Sequence, residues 1–395
     1  MTAPKLLLSI LIADPFFSGA PGNPPLRKEY CQTGSFEDSG FFSSIAEQTI
    51  APLAPRTTLS CIAKELNLTA ATVSRALNDH PKISAHTKES VLQAAKRMHY
   101  KKNRIASSLR SGKSHMIGVI IPSTQMNFFG SVVHGIESIA NTRGINVLIV
   151  QSNEHYLQEV QGMEALQAAR VDGILVSIAK ETVDFSHFRD AEKRGIPLVF
   201  FDRSHDNLGI PSVVVDDYKG AFLATENLIR QGYRRIAHIA GPQHVKVCHD
   251  RLMGYMAALQ ANHLPFEPSL VFAGDITLEA GRQAAGYFMS LPHPPDAAFA
   301  VEDFSALGLL KGIKEMGLAI PGEFGIVGFA NEGFGEHTSP SLSSIDQQTV
   351  LMGKEAASLL LQLIDEQGNG HKASARIVLD PLPVYRESSG RKYNS

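Results

Sequence analysis

The sequence has few cysteines and no long apolar run, and both absences limit what the protein can be. Its three cysteines, Cys31, Cys61 and Cys248, are odd in number and far apart, which excludes a disulfide framework and a CxxC metal clip. No stretch approaches the ~20 apolar residues that a membrane-spanning helix needs. We therefore expect a protein of a reducing aqueous compartment, the cytoplasm, with no bound metal and no membrane contact.

Motifs for catalysis are also lacking. The chain contains no GxGxxG after a strand, no GxSxG elbow and no HExxH. The run from Ser111 to Ser114 resembles the end of a phosphate-binding P-loop, but Ser107 stands where that motif requires a glycine and no strand precedes it. Because an enzyme needs a nucleophile with a base or a metal constellation, we predict a protein that is not an enzyme and needs no cofactor.

Positive charge is concentrated near the front of the chain. Residues 56–115 contain twelve Lys and Arg against three acidic residues, a net +9, and since the whole chain carries −2 the other 335 residues carry −11. A small basic block joined to a large acidic one suggests a polyanion-binding module. A solvated basic face would give the same count, so charge alone does not decide.

The chain divides into four segments by composition and periodicity. Residues 1–55 hold seven of the 21 prolines and few charges, and we interpret them as an extension that is disordered or follows from a misassigned start. The apolar run 6–13 within it resembles a short signal-peptide core. Residues 56–102 are predicted to form a helical domain and 115–389 a two-lobed domain. Between them lies the segment 103–114, for which the family resemblance described below implies a hinge helix and linker.

The helical domain has the spacing of a helix-turn-helix. Apolar residues recur at i, i+3 and i+4 over 59–66, 70–77 and the segment after Ser84. The buried residues predicted from this spacing are Ile62, Ala63, Leu66, Val73, Ala76, Leu77, Val91, Leu92, Ala95 and Met98. A second helix that is small and polar outside can enter the DNA major groove, although a generic helical hairpin shows the same pattern.

From residue 116 onward, apolar strands alternate with helical segments. This alternation predicts βαβ units with right-handed crossovers. The length favours two doubly wound parallel-sheet lobes. These lobes resemble those of periplasmic binding proteins of type I, and the resemblance implies a first lobe over 115–214 and 349–375 and a second lobe over 215–348 and 376–389. Ligands of such sheets bind at the carboxyl ends of strands, here in a cleft between the lobes.

Several motifs in order resemble the LacI/GalR family of bacterial transcription regulators. They are the run 58–78, the segments 76–84 and 100–114, the strand 117–122, and shorter matches that end at Ser339-Pro-Ser-Leu-Ser-Ser-Ile345. The resemblance covers about residues 57–389. It implies a DNA-binding homodimer whose two heads contact a near-palindromic operator.

The resemblance assigns DNA contacts residue by residue. Arg75 is the leading base reader, because a guanidinium can bridge the two acceptors on the major-groove edge of guanine. Leu109 matches a residue that wedges into the minor groove, with Ala106 on the same helix face. The full set of candidates is Thr58, Thr69, Ala70, Ala71, Thr72, Ser74, Arg75, Asn78, Ser84, Lys101, Asn103, Ala106 and Leu109.

The resemblance also implies a small effector in the cleft, with sugars as the default class. The matching positions are Phe129, Asp202, Arg251, Ile276, Glu302, Asp303, Ala330, Asn331 and Gln347. The chain departs from the family pattern at Ala330, where an acid is common, and at Ile276, where several members carry an aromatic residue. Asp202 and Arg251 could instead form structural ion pairs.

The resulting prediction is a DNA-binding transcription regulator, a repressor, whose operator affinity a small molecule controls. The alternative is a secreted solute-binding protein, which would use the same lobes and the apolar run 6–13. That alternative leaves the basic block 56–115 without a purpose.

Overall fold

The computed structural model describes residues 57–100, 113–366 and 375–391, which fall into two compact units. The first unit ends at Lys101 and the second begins at Lys102. The extension 1–55 and the hinge helix expected from residue 103 lie outside the described residues.

The first unit, called the head (residues 57–100), consists of three short helices. They are α1 (Leu59–Glu65), α2 (Ala70–Leu77) and α3 (Ala85–Arg97). Ile62, Val73 and Val91, one from each helix, are fully buried at the centre. Asn67 adopts a positive φ of 53° in the turn between α1 and α2, a conformation that asparagine tolerates. The head therefore has the helix-turn-helix arrangement that the sequence predicts.

The prediction that Leu92 belongs to the head core is wrong. Leu92 is 51% exposed, whereas Ala94 is buried. The buried stripe of α3 follows Val91, Ala94 and Ala95, and Leu92 lies one residue, about 100°, away from Val91 around the helix. The apolar side chain at that position is therefore directed out of the core.

The second unit contains two parallel sheets. The strands of this unit are β1 (Met116–Ile121), β2 (Asn146–Gln151), β3 (Gly173–Val176), β4 (Leu198–Phe201), β5 (Ser212–Val215), β6 (Ile236–Ile239), β7 (Val271–Phe272), β8 (Ala297–Ala300), β9 (Gly325–Val327), β10 (Ser344–Asp346), β11 (Arg376–Leu379) and β12 (Leu382–Val384). The first sheet has the order β11-β5-β4-β3-β1-β2, and the second has the order β7-β6-β8-β9. A short antiparallel pair is formed by β10 and β12.

Helices cover both faces of these sheets. They are α4 (Asn127–Thr142), α5 (Tyr156–Ala168), α6 (Ser186–Lys193), α7 (Asp217–Arg230), α8 (Lys246–Ala261), α9 (Leu278–Met289), α10 (Asp303–Glu315) and α11 (Thr349–Asp365). In β1, Val119 belongs to the core with α4 and α11, while its neighbour Ile120 belongs to the core with α5 and α6. Alternate residues of one strand thus enter opposite cores, which confirms the doubly wound architecture.

The chain passes between the lobes three times. The position of the last passage shows that one predicted lobe boundary is wrong. The passages follow β5, β10 and β11. Residues 376–389 were predicted to belong to the second lobe, but β11 pairs in parallel with β5 of the first sheet. The physical reason is that Ile377 and Val378 extend an open edge of that sheet, which four residues of local sequence do not reveal.

The described helices can be tested for the length and apolar character of a membrane-spanning helix. None of them combines the length and the apolar character required to cross a bilayer.

A buried histidine in the second sheet makes folding sensitive to acid. His238 is fully buried between the rings of Tyr255 and Phe299, and its Nδ1 lies 2.9 Å from the Phe299 carbonyl oxygen. Burial lowers the pKa of His238 from 6.5 to about 4. Between about pH 6.5 and pH 4, His238 therefore binds a proton in the unfolded chain but stays neutral in the folded chain.

We expect this histidine to remove roughly 2–3 kcal/mol from the free energy of unfolding between pH 7.5 and pH 4.5. Urea unfolding of the wild type and His238→Phe at the two pH values measures it, because the variant loses this contribution. His293→Phe, at an exposed position, is the control and should retain the wild-type pH dependence. A parallel pH dependence in the wild type and His238→Phe would contradict the assignment.

Candidate nucleic-acid interface and ligand cleft

One face of the candidate recognition helix α2 packs in the head core, and the opposite face is exposed. Thr69 caps it, since its hydroxyl accepts a hydrogen bond from the Thr72 amide at 3.1 Å. Val73 is buried in the head core. Ala70 and Arg75 are exposed, as groove contact requires, so the surface they form can approach DNA without disturbing the core.

The other predicted contacts in the head have local structural partners. The Ser84 hydroxyl accepts from the Thr87 amide and caps α3. The Asn78 side-chain amide donates to the Ser74 carbonyl oxygen at 2.8 Å. Thr58 lies at the start of α1, with its hydroxyl 3.3 Å from the Cys61 sulfur. Ala71 is exposed, and Thr72 and Ser74 are half-buried. Lys101, Asn103, Ala106 and Leu109 lie outside the described residues.

Two of the basic side chains in the head are paired with acids of the head. Lys88 bonds Asp79 at 2.6 Å, and Arg97 bonds Glu65. Arg75 makes no ion pair within the described residues, and its guanidinium is exposed. It is therefore the cationic side chain of α2 that can engage an anionic partner or a base edge without first breaking a bond.

In the second unit, Arg251 is buried where the two lobes meet. Its Nε and Nη2 donate to Asp217 Oδ1 at 2.8 and 2.7 Å, and its Nη1 donates to the Val301 carbonyl oxygen at 2.5 Å. Nη2 also lies 3.3 Å from Gln347 Oε1. The guanidinium lies over the Phe329 ring, 3.7 Å from its centroid, which adds a cation–π contact. Arg251 and Gln347, predicted separately, are thus brought together.

Asp217 was missed by the sequence analysis. It lies two residues after the end of β5, at the carboxyl end of a parallel strand, which is where such folds place functional groups. Its position at the end of a strand could have identified Asp217 as a cleft residue. The sequence analysis named Asp202 as the acidic residue of the cleft instead. The structural ion pair of Arg251 is with Asp217, not with Asp202.

Asp202 lies in the same region, with a positive φ of 59° and 8% exposure. Its Oδ2 accepts from the Ser177 hydroxyl at 3.2 Å and lies 3.9 Å from Arg203 Nε. Burial raises the pKa of Asp202, and the charges of Arg203 and Arg251 oppose the shift. Its carboxylate is weakly compensated, so a ligand that donates hydrogen bonds would be favoured there.

Two predicted acids have structural partners of their own. Glu302 caps α10, because its carboxylate accepts from the backbone amides of Phe304 and Ser305. Asp303 is fully buried and accepts from the Glu332 amide and the Ser344 hydroxyl. Burial raises the pKa of Asp303 to about 7. These bonds fix the loops around the end of the second sheet.

The remaining predicted effector positions contact other residues of the protein. Phe129 is 1% exposed and belongs to the core of the first lobe. Ile276 packs against a small apolar cluster that includes Val301. The Asn331 side chain is bonded to Asp346 and Arg386, and Ala330 is half-buried beside it. Of the nine positions, Asp202, Arg251 and Gln347 are therefore the ones whose polar groups gather in one region.

The cleft between the lobes is narrow. Two cavities of about 50 and 10 Å³ lie along it, room for only a few groups the size of a water molecule. Contacts cross the cleft, since Lys180 of the first lobe bonds Asp275 at 2.7 Å and its carbonyl oxygen lies 2.7 Å from His244 Nε2. The two lobes are thus bonded to each other across the cleft.

A helix-turn-helix head followed by a two-lobed domain with a cleft defines a DNA-binding transcription regulator. Residues 58–103 match the family model "Bacterial regulatory proteins, lacI family". Residues 114–387 match the model "Periplasmic binding proteins and sugar binding domain of LacI family". The chain belongs to the LacI family, whose members are non-enzymatic regulators.

Individual relatives agree with this assignment. The HTH-type transcriptional repressor CytR of Escherichia coli K12 is 32% identical over 333 residues, covering 84% of this chain and 96% of the relative. The lac repressor dimer bound to operator and the anti-inducer ONPF is 27% identical, with a TM-score of 0.76 over 85% of this chain and 99% of that one. The regulator CelR in complex with cellobiose is 29% identical, with a TM-score of 0.63 over 84% and 100% of the two chains.

Proposed function

We propose that this protein is a homodimeric cytoplasmic repressor that binds a near-palindromic operator and is controlled by a small effector in the cleft. The observation that carries the DNA-binding part is the exposed face of α2, where Arg75 makes no ion pair within the described residues. Two heads related by a two-fold axis would meet two half-sites. The likeness to a lac repressor dimer on its operator supports this arrangement.

A sugar or sugar derivative is the proposed effector class. The Asp202 carboxylate offers an oxygen acceptor at the cleft, and the Gln347 amide and the Arg251 guanidinium, which are bonded to each other, add polar groups beside it. This mixture suits a polyhydroxylated ligand. The likeness to a cellobiose complex supports the class without fixing the molecule.

Control of DNA binding would follow from a change in the angle between the lobes. An effector that binds one lobe arrangement better than another shifts the population toward it. The arrangement of the lobes would bias whether the hinge 103–114 folds on DNA, with Leu109 as the minor-groove wedge. Operator and effector affinities would then be coupled reciprocally.

Arg75→Ala tests the DNA-binding part. We expect specific binding to weaken by ~1–3 kcal/mol and base preference to relax at one position of each half-site. The measurement is a competition binding assay on genomic fragments that the wild type selects, at fixed salt. Arg97→Ala is the control, since Arg97 is paired with Glu65 on the head. Unchanged selectivity in Arg75→Ala would remove Arg75 as a reader.

A thermal-shift screen of sugars and nucleobases tests the effector part. A ligand present at ~100 times its dissociation constant adds ~2.7 kcal/mol of stability to the folded domain. Asp202→Asn should reduce the shift of a true cleft ligand. A protein found in the periplasm, with no salt-sensitive binding to any genomic fragment, would favour a solute-binding protein instead.

A further inference from the structure

A carboxylate of the second lobe crosses to the first lobe and bonds its backbone. Glu332 lies five residues after the end of β9, in the second lobe, and its Oε1 accepts a hydrogen bond from the Phe128 amide at 3.0 Å. Phe128 belongs to the first turn of α4, in the first lobe. Glu332 is 3% exposed, so this contact is shielded from water while the two lobes are together.

The helix α4 obtains its N-terminal cap from this contact. Its N-cap residue, Met126, provides no side-chain hydrogen bond, and its first turn contains no acidic residue. The first amides of a helix have no intrahelical acceptor, and the helix dipole stabilises a carboxylate beside them. Burial raises the pKa of Glu332, and hydrogen bonds from the Phe128 and Asn127 amides oppose that shift. One carboxylate thus satisfies two amides that belong to the other lobe.

The loop that carries Glu332 is fixed to the second lobe. Ala330 adopts a positive φ of 118°, and an alanine keeps such a backbone conformation only where the surrounding structure holds it. The next residue, Asn331, is bonded through its side chain to Asp346 and Arg386, at 2.9 and 2.8 Å. The carboxylate therefore moves with the second lobe, and separation of the lobes breaks its bonds to α4.

Two ion pairs that also connect the lobes are less shielded. Lys180 and Lys246 each bond an acid of the other lobe, Asp275 and Asp206, but all four side chains are partly exposed. Exposed ion pairs contribute little, because water and salt screen them. Of these three links, the buried one made by Glu332 should hold the lobes together most strongly.

We propose that Glu332 is a latch that holds the two lobes together. It is a positioning residue, because its bonds to α4 set the population of the joined lobe arrangement. The inference rests on the proposed function only for its consequence, which is that Glu332 sets the lobe arrangement that an effector must shift.

Cys248 is a natural probe of lobe separation. It is fully buried in a small apolar cluster of the second lobe. Burial raises the pKa of its thiol to about 11, and the charges of Arg251, in the second lobe, and Arg203, in the first lobe, oppose that shift. The thiol therefore lies near the first lobe, and separation of the lobes should expose it to reagents. Cys61 is exposed on the head and serves as the internal reference.

Maleimide labelling of the full chain tests the proposal, with the Cys248 peptide compared with the Cys61 peptide by mass spectrometry. Glu332→Ala should label Cys248 about two- to thirtyfold faster than the wild type, the range that loss of a helix cap gives. Glu332→Gln keeps an oxygen acceptor and should lie between the two. Glu279→Ala is the matched control, because Glu279 is an exposed acid of the second lobe that accepts from Gln283 on its own helix. It should label as the wild type does.

The urea dependence of labelling separates a latch from a general loss of stability. Separation of the lobes exposes less surface than unfolding, so labelling below the unfolding transition should depend only weakly on urea. Three results would overturn the proposal: equal labelling in Glu332→Ala and the wild type, equal acceleration in Glu279→Ala, or a urea dependence as steep as that of unfolding. The assay contains no operator and no sugar, so a failed latch leaves the proposed function standing, and absent operator binding leaves the latch standing.

Discussion

Ile62→Ala is expected to unfold the head and abolish operator binding while the two-lobed unit stays folded. Ile62 is fully buried among Val73, Ala76 and Val91. Truncating a buried isoleucine to alanine costs about 2–5 kcal/mol. At ~0.05–0.15 kcal/mol per residue, a unit of this size has only about 2–7 kcal/mol of stability in total. The substitution therefore removes most or all of what keeps the head folded.

The selectivity of the effect comes from the separation of the two units. The head has its own core cluster, with no member from the second unit. DNA binding should fall to background in a fluorescence-anisotropy titration, while the thermal transition of the second unit is unchanged. Leu92→Ala removes an apolar side chain that is 51% exposed, so its effect should stay within about 0.5 kcal/mol. Full operator binding by Ile62→Ala would show that the head core has been placed wrongly.

Asp217→Ala is expected to destabilise the second unit by about 3–5 kcal/mol. Asp217 is 6% exposed and Arg251 is 4% exposed, so the substitution leaves a buried guanidinium without its anion. Arg251 keeps its bonds to the Val301 carbonyl oxygen and Gln347, but neither carries a negative charge. The desolvation cost of the cation is then uncompensated.

Asp217→Asn is the matched variant. It keeps an oxygen acceptor of the same shape and loses only the charge, so we expect a smaller loss of about 1–3 kcal/mol. Urea unfolding of the second unit measures both variants. If Asp217→Ala were as stable as the wild type, the ion pair with Arg251 would not be a structural element of the cleft, and Arg251 would be free for a ligand.

Local patterns were enough to predict most of the elements. The segment 70–77 was predicted as a helix and is α2, because its cap and its apolar spacing are contained within nine residues, 69–77. The doubly wound lobes followed from strand–helix alternation, since a parallel strand covered on both faces is itself continuously apolar. The strands β10 to β12 have only three or four residues, too few to show a period in the sequence.

The cleft was less predictable than the head. Arg251 and Gln347 were chosen through resemblance, but Asp217, which accepts hydrogen bonds from two nitrogens of the guanidinium, was not. Asp217 and Arg251 are 34 residues apart, on α7 and α8. No local pattern records which acid a given arginine will meet after two helices pack. The same holds for Lys180 and Asp275, which are 95 residues apart and bridge the two lobes.

The linear order of residues determined the basic front of the chain, the helix-turn-helix spacing and the alternation of strands and helices, because each is set by neighbours within a few turns. Tertiary structure alone decided that β11 returns to the first sheet and that Arg251 is bonded to Asp217. These depend on which distant segments share a buried space. There, the cost of desolvating a polar group selects its partner by position in the fold, whatever its position in the chain.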